Sequence, residues 1–139
     1  MANEITIQAK LSAAKNGAGI SNATTTKTQT IENALAGPRV SGLQSVGTTK
    51  EAVALADTDT TKQYMVLLRN TDPTNFVTVY GRPDATPNDC AVGIMLPGES
   101  WGPARMPALT GGYPLLYVKA DTSACQVDVQ VTEAGNPLA

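Results

Sequence analysis

The residues from Tyr64 to Tyr80 constrain the fold of this chain more than any other stretch. Tyr64 to Leu68 is the only run of five consecutive large apolar residues, and so short a run is typical of a strand buried on both faces. The residues that follow, from Asn70 to Asn75, favour turns. Phe76 to Tyr80 then returns to mostly β-branched and aromatic residues. Strand, polar loop and strand predict a hairpin at the centre of an antiparallel sheet.

Further short segments along the chain are also predicted to be β-strands separated by turns. In Cys125 to Glu133 the valines at 127, 129 and 131 alternate with polar residues, so we expect these valines and Cys125 to be buried. Pro97-Gly98 predicts a type II turn, because proline suits its second position and glycine its third. Other predicted strands are Glu4–Leu11, Ala23–Ile31, Leu43–Thr48, Ala52–Leu55, Ala91–Leu96, Ser100–Ala104 and Leu115–Asp121. We expect the strand Leu115–Asp121 to form a hairpin with the strand 125–133. The segment Ile31–Ala36 is compatible with one helical turn.

Eight or nine short strands without intervening long helices predict an all-β, antiparallel β-sandwich. A chain of 139 residues with 42% apolar and 16% charged residues is expected to be one globular domain, residues 1–139. We prefer a jelly roll, with an immunoglobulin-like sandwich as the second choice.

The N-terminal part of the chain is poor in the residues that fill a core. All six aromatic residues come after residue 63. The strand that contains Thr25, Thr26, Thr28 and Thr30 has almost no large apolar side chain, so it is stable only at an edge or against another chain. We expect residues 1–41 to form a Thr-rich arm or edge hairpin that contacts neighbouring subunits by strand addition.

The chain contains no histidine, which removes the commonest general base and most zinc sites that use histidine ligands. The candidates for a catalytic carboxylate pair are Asp57, Asp59, Asp84 and Asp89. All four lie in predicted loops, where solvated turn carboxylates explain them better. We therefore predict no catalytic, cofactor-binding or metal-binding residue, and a protein that is not an enzyme.

The charge and the cysteine content of the chain limit which binding partners we expect and in which cellular compartment we expect the protein to fold. A net charge of −2 with scattered basic residues argues against nucleic-acid binding. No segment approaches the ~20 apolar residues that cross a bilayer, and the N-terminus lacks the features of a secretory signal. Of the two cysteines, we expect Cys125 to be buried and Cys90 to lie nearer the surface. No disulfide is expected between them, as in a protein folded in a reducing cytoplasm.

Aromatic residues beside loops are the remaining candidates for contact with a partner. Phe76, Tyr80, Trp101 and Tyr113 lie in or next to predicted loops and strand ends. They either fill the ends of a small core or anchor a protein interface, where aromatic residues are enriched. Together with the four threonines of the arm, they form our set of candidate partner-binding residues.

Several segments of the chain resemble a known class of proteins. They are Met1–Ile7, Gly47–Val53, Leu67–Val77, Met95–Ser100 and Leu116–Cys125. Taken together they resemble small structural proteins of tailed bacteriophages, most like the capsid cement or decoration proteins.

The resemblance implies a jelly-roll protein that binds the outside of a phage capsid and cements or decorates its shell. The implied partners are the major capsid protein and further copies of the chain, in a homodimer or homotrimer. The implied location is the capsid surface, after folding and assembly in the cytoplasm of the bacterial host. The alternative is a head- or tail-fibre module that binds a host receptor or glycan, with Trp101 and Tyr113 lining a groove.

We expect the arm to contribute more to assembly than to folding, because its threonines bury too little apolar area at ~25 cal/mol per Å². A truncated protein that begins at Gly42 should keep the circular dichroism of β-structure but lose its oligomeric state or its binding to particles. Light scattering and co-sedimentation, full-length against truncated, measure this. An unfolded truncation would contradict the prediction.

Overall fold

Every regular element that the structure describes is a β-strand. The structure, a computed structural model, describes residues 4–9, 12–15, 18–21, 25–30, 39–55, 63–81, 90–107 and 116–133. The strands are β1 Glu4–Ala9, β2 Ser12–Lys15, β3 Ala18–Ser21, β4 Thr25–Thr30, β5 Arg39–Val46, β6 Glu51–Ala52, β7 Tyr64–Asn70, β8 Val77–Tyr80, β9 Ala91–Met95, β10 Ser100–Met106, β11 Tyr117–Ala120 and β12 Cys125–Glu133. The predicted all-β class is confirmed, and the proposed helical turn at 31–36 lies outside the described residues.

The last eight strands form two antiparallel sheets of four strands each. The first sheet has the order β10-β7-β12-β5, and the second has the order β6-β11-β8-β9. The pairing is nested, since β5 pairs with β12, β6 with β11, β7 with β10 and β8 with β9. As a result, strands that follow one another in sequence lie in opposite sheets, except for β8 and β9.

This topology shows that both predicted hairpins are wrong. Residues 71–76 carry the chain from β7 in the first sheet to β8 in the second, and residues 121–124 carry it from β11 back to β12. Turn-forming residues set where the chain reverses, but they do not decide which strand becomes the neighbour. In both cases the two strands lie in opposite sheets, and their inner side chains meet in the core between those sheets.

The predicted type II turn between β9 and β10 is confirmed. Gly98 has a φ of 78°, which the third position of this turn requires. The amide of Glu99 donates to the carbonyl oxygen of Leu96 at 2.9 Å and closes the turn.

One hydrophobic core lies between the two sheets and consists mostly of valines. Its buried members are Val46, Tyr64, Val66, Leu68, Cys125, Val127, Val129 and Val131 from the first sheet, and Val53, Val77, Val79, Met95, Leu116, Val118 and Ala120 from the second sheet and its flanking residues. Because one cluster contains the inner side chains of both sheets, the sheets pack face to face as a sandwich. The predicted inward alternation of the last strand is confirmed.

The two cysteines lie as predicted, and neither is in a disulfide. Cys125 is buried in the core and Cys90 is exposed just before β9. Burial raises the pKa of the Cys125 thiol, and the negative charges of Asp72 and Asp121 raise it further. We therefore expect the Cys125 thiol to stay protonated and unreactive in the native protein.

The N-terminal strands form two antiparallel pairs outside these sheets. β1 pairs with β4, from Glu4 opposite Thr30 to Ala9 opposite Thr25, and β2 pairs with β3. The Thr-rich strand therefore has a partner in its own chain, and in the described residues each of these strands pairs on one side only. Strand addition to a neighbouring subunit stays a prediction.

The start of β5 also changes the residue at which the N-terminal arm should be truncated. β5 begins at Arg39, which lies opposite Val131 in the first sheet. A truncation at Gly42 would remove the first three residues of this strand. Deletion of residues 1–38 is therefore the better test of the arm.

Substitutions in β12 test the facing of the strand. Val129 is buried between the sheets, whereas Gln130 is exposed. We expect Val129→Asp to cost several kcal/mol, because it buries a carboxylate without a compensating partner; domains of this size have about 5–15 kcal/mol of stability in total. Gln130→Asp should change the free energy of unfolding by less than about 0.5 kcal/mol. Urea denaturation of both variants measures this, and equal losses would contradict the assignment.

Candidate functional site: an exposed apolar edge strand

Strand β9 forms one edge of the second sheet. It pairs with β8, from Met95 opposite Val77 to Ala91 opposite Tyr80. Among the strands that the structure describes, none pairs with its other side. Such an edge presents unpaired backbone donors and acceptors, which makes it a template for another strand.

Three large aliphatic side chains are exposed on this strand and the residue after it. Val92 is 50% exposed, Ile94 58% and Leu96 50%; we call these three residues the β9 row. Met95, between two of them, is completely buried. The outward face of an antiparallel sheet is usually polar, so a contiguous apolar row there indicates an interaction surface.

The inner side of β9 is occupied by an indole ring. A Cβ atom on Gly93 would lie 2.5 Å from Cδ1 and 2.7 Å from Nε1 of Trp101, so any other residue at this position would displace the ring. Trp101 is itself packed against the hydrophobic core. The indole thus takes the inward place at Gly93, Met95 takes the next inward place, and Val92, Ile94 and Leu96 are exposed.

A buried amide holds the far end of β9. The side chain of Asn70, at the end of β7, is fully buried. Its Nδ2 donates to the carbonyl oxygens of Asn75 at 2.8 Å and Met95 at 3.1 Å, and its Oδ1 accepts from the amide of Asp72 at 3.0 Å. One side chain therefore joins the first sheet, the 71–76 connection and the edge strand of the second sheet.

The carboxylate of Asp72 stabilises the turn at residues 72–75. Asp72 Oδ1 accepts from the backbone amides of Asn75 at 2.7 Å and Thr74 at 2.8 Å. These hydrogen bonds hold the pKa of Asp72 below its usual value, and the bond from the Asn75 amide has the largest effect. Its contribution to stability is therefore present above pH ~4 and is lost as the pH falls through the lowered pKa. The Asn75 side chain in turn bonds to the side chains of Thr122 and Ser123 in the 121–124 connection.

The predicted partner-binding residues do not come together in one described surface. Phe76 precedes β8 and is 38% exposed, whereas Tyr80 ends β8, is buried, and has Lys50 Nζ 4.2 Å from its ring centroid. Trp101 is half-buried. Thr25, Thr26, Thr28 and Thr30 all lie on β4. Tyr113 lies outside the described residues, as do Asp57, Asp59, Asp84 and Asp89.

Sequence reasoning identified the strand 91–96 but missed the β9 row. Both alternating sets of residues in this segment are apolar or glycine, so the pattern does not show which set faces the core. The bulkier set, Val92, Ile94 and Leu96, would ordinarily be placed inside. A strand without a polar face was the one signal that the sequence offered for an interaction edge.

A shallow depression lies on the outer face of the first sheet. It encloses about 420 Å³ and is lined by Leu67, Arg69, Gly98, Ser100, Asp128 and Gln130. The strand register places Ser100, Arg69 and Asp128 in one row across the sheet. Arg69, Ser100 and Gln130 are exposed, and Asp128 is half-buried. This arrangement is that of an ordinary solvated sheet face.

Within the described ranges, no cluster of three or more His, Cys, Asp or Glu residues is placed to hold a metal ion. The same ranges contain no helix long and apolar enough to span a membrane. In comparisons with known proteins, no family model, no curated protein and no solved structure matches this chain.

Replacement of the buried amide tests its role in holding β9. Asn70→Leu keeps the approximate volume but leaves the Asn75 and Met95 carbonyls and the Asp72 amide without this partner, so we expect a loss of about 2–4 kcal/mol. The matched control is Thr71→Val, which removes the hydroxyl bond from Thr71 to the carbonyl of Gln126 on an exposed residue and should cost less than about 1 kcal/mol. Urea denaturation measures both, and a similar small loss in the two variants would contradict this role.

Proposed function

We propose that this chain is a non-enzymatic virion structural protein that binds the outside of a bacteriophage capsid and cements or decorates the shell of major capsid protein. The observation that carries the proposal is the β9 row, an exposed aliphatic surface on an unpaired strand edge. A closely packed sandwich with such an edge is suited to docking against another protein, which is what a cement protein must do.

We further propose that the sandwich is a jelly roll. In this fold a long antiparallel ribbon folds over so that its strands pair in nested fashion across two sheets of four. The pairs β5–β12, β6–β11, β7–β10 and β8–β9 support this topology. An immunoglobulin-like sandwich is less well supported, because several consecutive strands pair in that fold and only β8 and β9 do so here. Jelly rolls are frequent in viral capsid proteins.

The N-terminal pairs fit the role of an arm that reaches a neighbouring subunit. Residues 31–38 connect β4 to β5, and eight residues span at most about 26–29 Å when fully extended. A connection of that length would allow the pairs to contact a second protein beside the one that holds the sandwich. On a shell with many copies, weak contacts of this kind add up through multivalency.

The alternative, a head- or tail-fibre module that binds a receptor or glycan, is less well supported. It requires an exposed aromatic platform, with Trp101 as its main candidate. The indole of Trp101 is instead packed over Gly93 and against the core. A ring in that position supports the sheet from inside.

The location of the protein in the particle tests the proposal. Antibodies against the purified protein, coupled to gold, should label the capsid surface of particles of the phage that encodes the chain. Purified protein should also co-sediment with capsids that lack it, and deletion of residues 1–38 should weaken this binding. Label confined to the tail or to fibres would favour the alternative, and absence from the particle would contradict both.

A further inference from the structure

We propose that the capsid protein docks on the outer face of the second sheet, with Phe76 as the aromatic anchor, and that it presents there an apolar surface with a carboxylate opposite Lys119. We call the β9 row together with Phe76, Thr78 and Lys119 the docking face. The inference rests on the proposed function and deepens it, because it states which residues meet the partner and what chemistry the partner must offer.

Phe76 lies beside the β9 row on the outer face of the second sheet. Val77 is completely buried, so alternation along the chain places its neighbours Phe76 and Thr78 on the opposite, outer face. Thr78 lies opposite Ile94 in β9. Two residues further in the same register, Phe76 comes beside Leu96. The aromatic ring therefore extends the exposed aliphatic row from the edge strand onto the next strand.

Backbone contacts on both sides support this placement of Phe76. Asn70 Nδ2 donates to the carbonyl oxygens of Asn75 at 2.8 Å and Met95 at 3.1 Å, so the chain just before Phe76 lies beside the end of β9. On the other side, the carbonyl oxygen of Phe76 accepts from the amide of Asp121 at 3.2 Å. Phe76 is thus in line with β8, which has β9 on one side and β11 on the other.

The exposed large hydrophobic side chains of the described residues are concentrated on this part of the molecule. They are Leu43, Phe76, Val92, Ile94 and Leu96. Leu43 belongs to the first sheet, and the other four lie on or beside strands β8 and β9 of the second. Aromatic residues are enriched at the centres of protein interfaces, and Phe76 is the aromatic member of these four. It is therefore the residue that we assign as the anchor.

Lys119 provides the charge that a partner must match. It lies on β11 opposite Thr78, so Lys119, Thr78 and Ile94 form one row across the outer face. The Lys119 side chain is half-buried, and within the described ranges no ion pair or hydrogen bond holds its ammonium group. Asp121, two residues further on, has its Oδ1 buried without a hydrogen-bond partner. A carboxylate on the partner would complement the ammonium group, whereas a second cation would be repelled.

The backbone edge of β9 can add only a small part of the contact. Val92 is left out of the register between β8 and β9, and the amide of Leu96 donates to the Glu99 carboxylate at 3.0 Å. Between these two points only Gly93 to Met95 remains regular. The side chains of the docking face must therefore supply most of the binding energy.

The size of the docking face predicts a weak single contact. Strands ~4.8 Å apart with a rise of ~3.3 Å per residue give three strands of this length an area of only a few hundred Å². A stable complex needs about 800 Å² on each partner. One copy should therefore bind weakly, and stable attachment needs many copies or the additional contacts of the arm.

Co-sedimentation with capsids that lack the protein, over a range of protein concentrations, tests the anchor. Phe76→Ala should weaken binding about tenfold or more. Ile94→Ala, at a residue of 58% exposure, should weaken it as well and does not depend on how the Phe76 variant folds. The matched control is Leu43→Ala, which truncates a side chain of 66% exposure on the first sheet and should leave binding unchanged. Wild-type binding by both docking-face variants would overturn the proposal and leave the proposed function standing.

The same assay with charge variants tests the carboxylate on the partner. Lys119→Glu should weaken binding about tenfold or more, whereas Lys119→Arg should retain it. The matched control is Arg69→Glu, which reverses an exposed charge on the first sheet and should have no effect. Added salt should weaken the binding of the wild type more than that of Lys119→Gln, because salt screens a charged pair. Unchanged or stronger binding by Lys119→Glu would overturn the proposal.

Sedimentation equilibrium of the protein alone distinguishes the capsid protein from a second copy as the occupant. Self-association that Phe76→Ala and Ile94→Ala both abolish would assign the docking face to a second copy and overturn the proposal. Self-association that both variants retain would place the contact between copies elsewhere, as we expect. A wild-type protein that binds no capsid would remove the proposed function and this inference together.

Discussion

The side-chain amide of Asn70 holds together the end of the sandwich at which the chain changes sheets. Placing an amide in a core of valines is costly unless its donors and acceptor are all used. Asn70 meets this condition with bonds to the 71–76 connection and to the carbonyl of Met95 in the opposite sheet. Because the last residue of β9 depends on one of these bonds, the position of the exposed edge depends on the amide.

The sequence was sufficient to locate most strands but not to pair them. In β12 every second residue is apolar, and period-two alternation has one interpretation when the other face is polar, so the burial of Val127, Val129 and Val131 could be predicted. The connections could not, because Asp72, Pro73 and their neighbours form the same kind of tight turn whether the next strand lies beside the last or across from it. The difference lies in contacts between residues far apart in sequence, such as Asn70 with Met95, which no local pattern contains.

The candidate site was harder to predict than the fold, because it depends on which apolar residues stay outside. The sequence offers Val92, Ile94 and Leu96 as good core residues, but in the structure the ring of Trp101 over Gly93 and the side chain of Met95 already fill the inward places. For Tyr80 the sequence left open whether the ring fills the end of the core or anchors an interface, and the structure shows that it is buried. Composition identifies residues that can anchor an interface, but packing decides which of them remain available.

The edge strands of the sandwich differ in how well they are protected against pairing with another chain. An exposed regular edge strand with aliphatic side chains promotes aggregation, so folded proteins usually shorten, bulge or charge such edges. Here β6 is short, and β10 has both a proline and a register shift. β9 keeps regular pairing from Gly93 to Met95 and has three exposed aliphatic residues on it and just after it, and the Glu99 carboxylate accepts from the amide of the last of them, Leu96, at 3.0 Å. This contrast is expected if β9 is covered in the working assembly, because a partner strand removes the aggregation risk and satisfies the backbone groups of the edge.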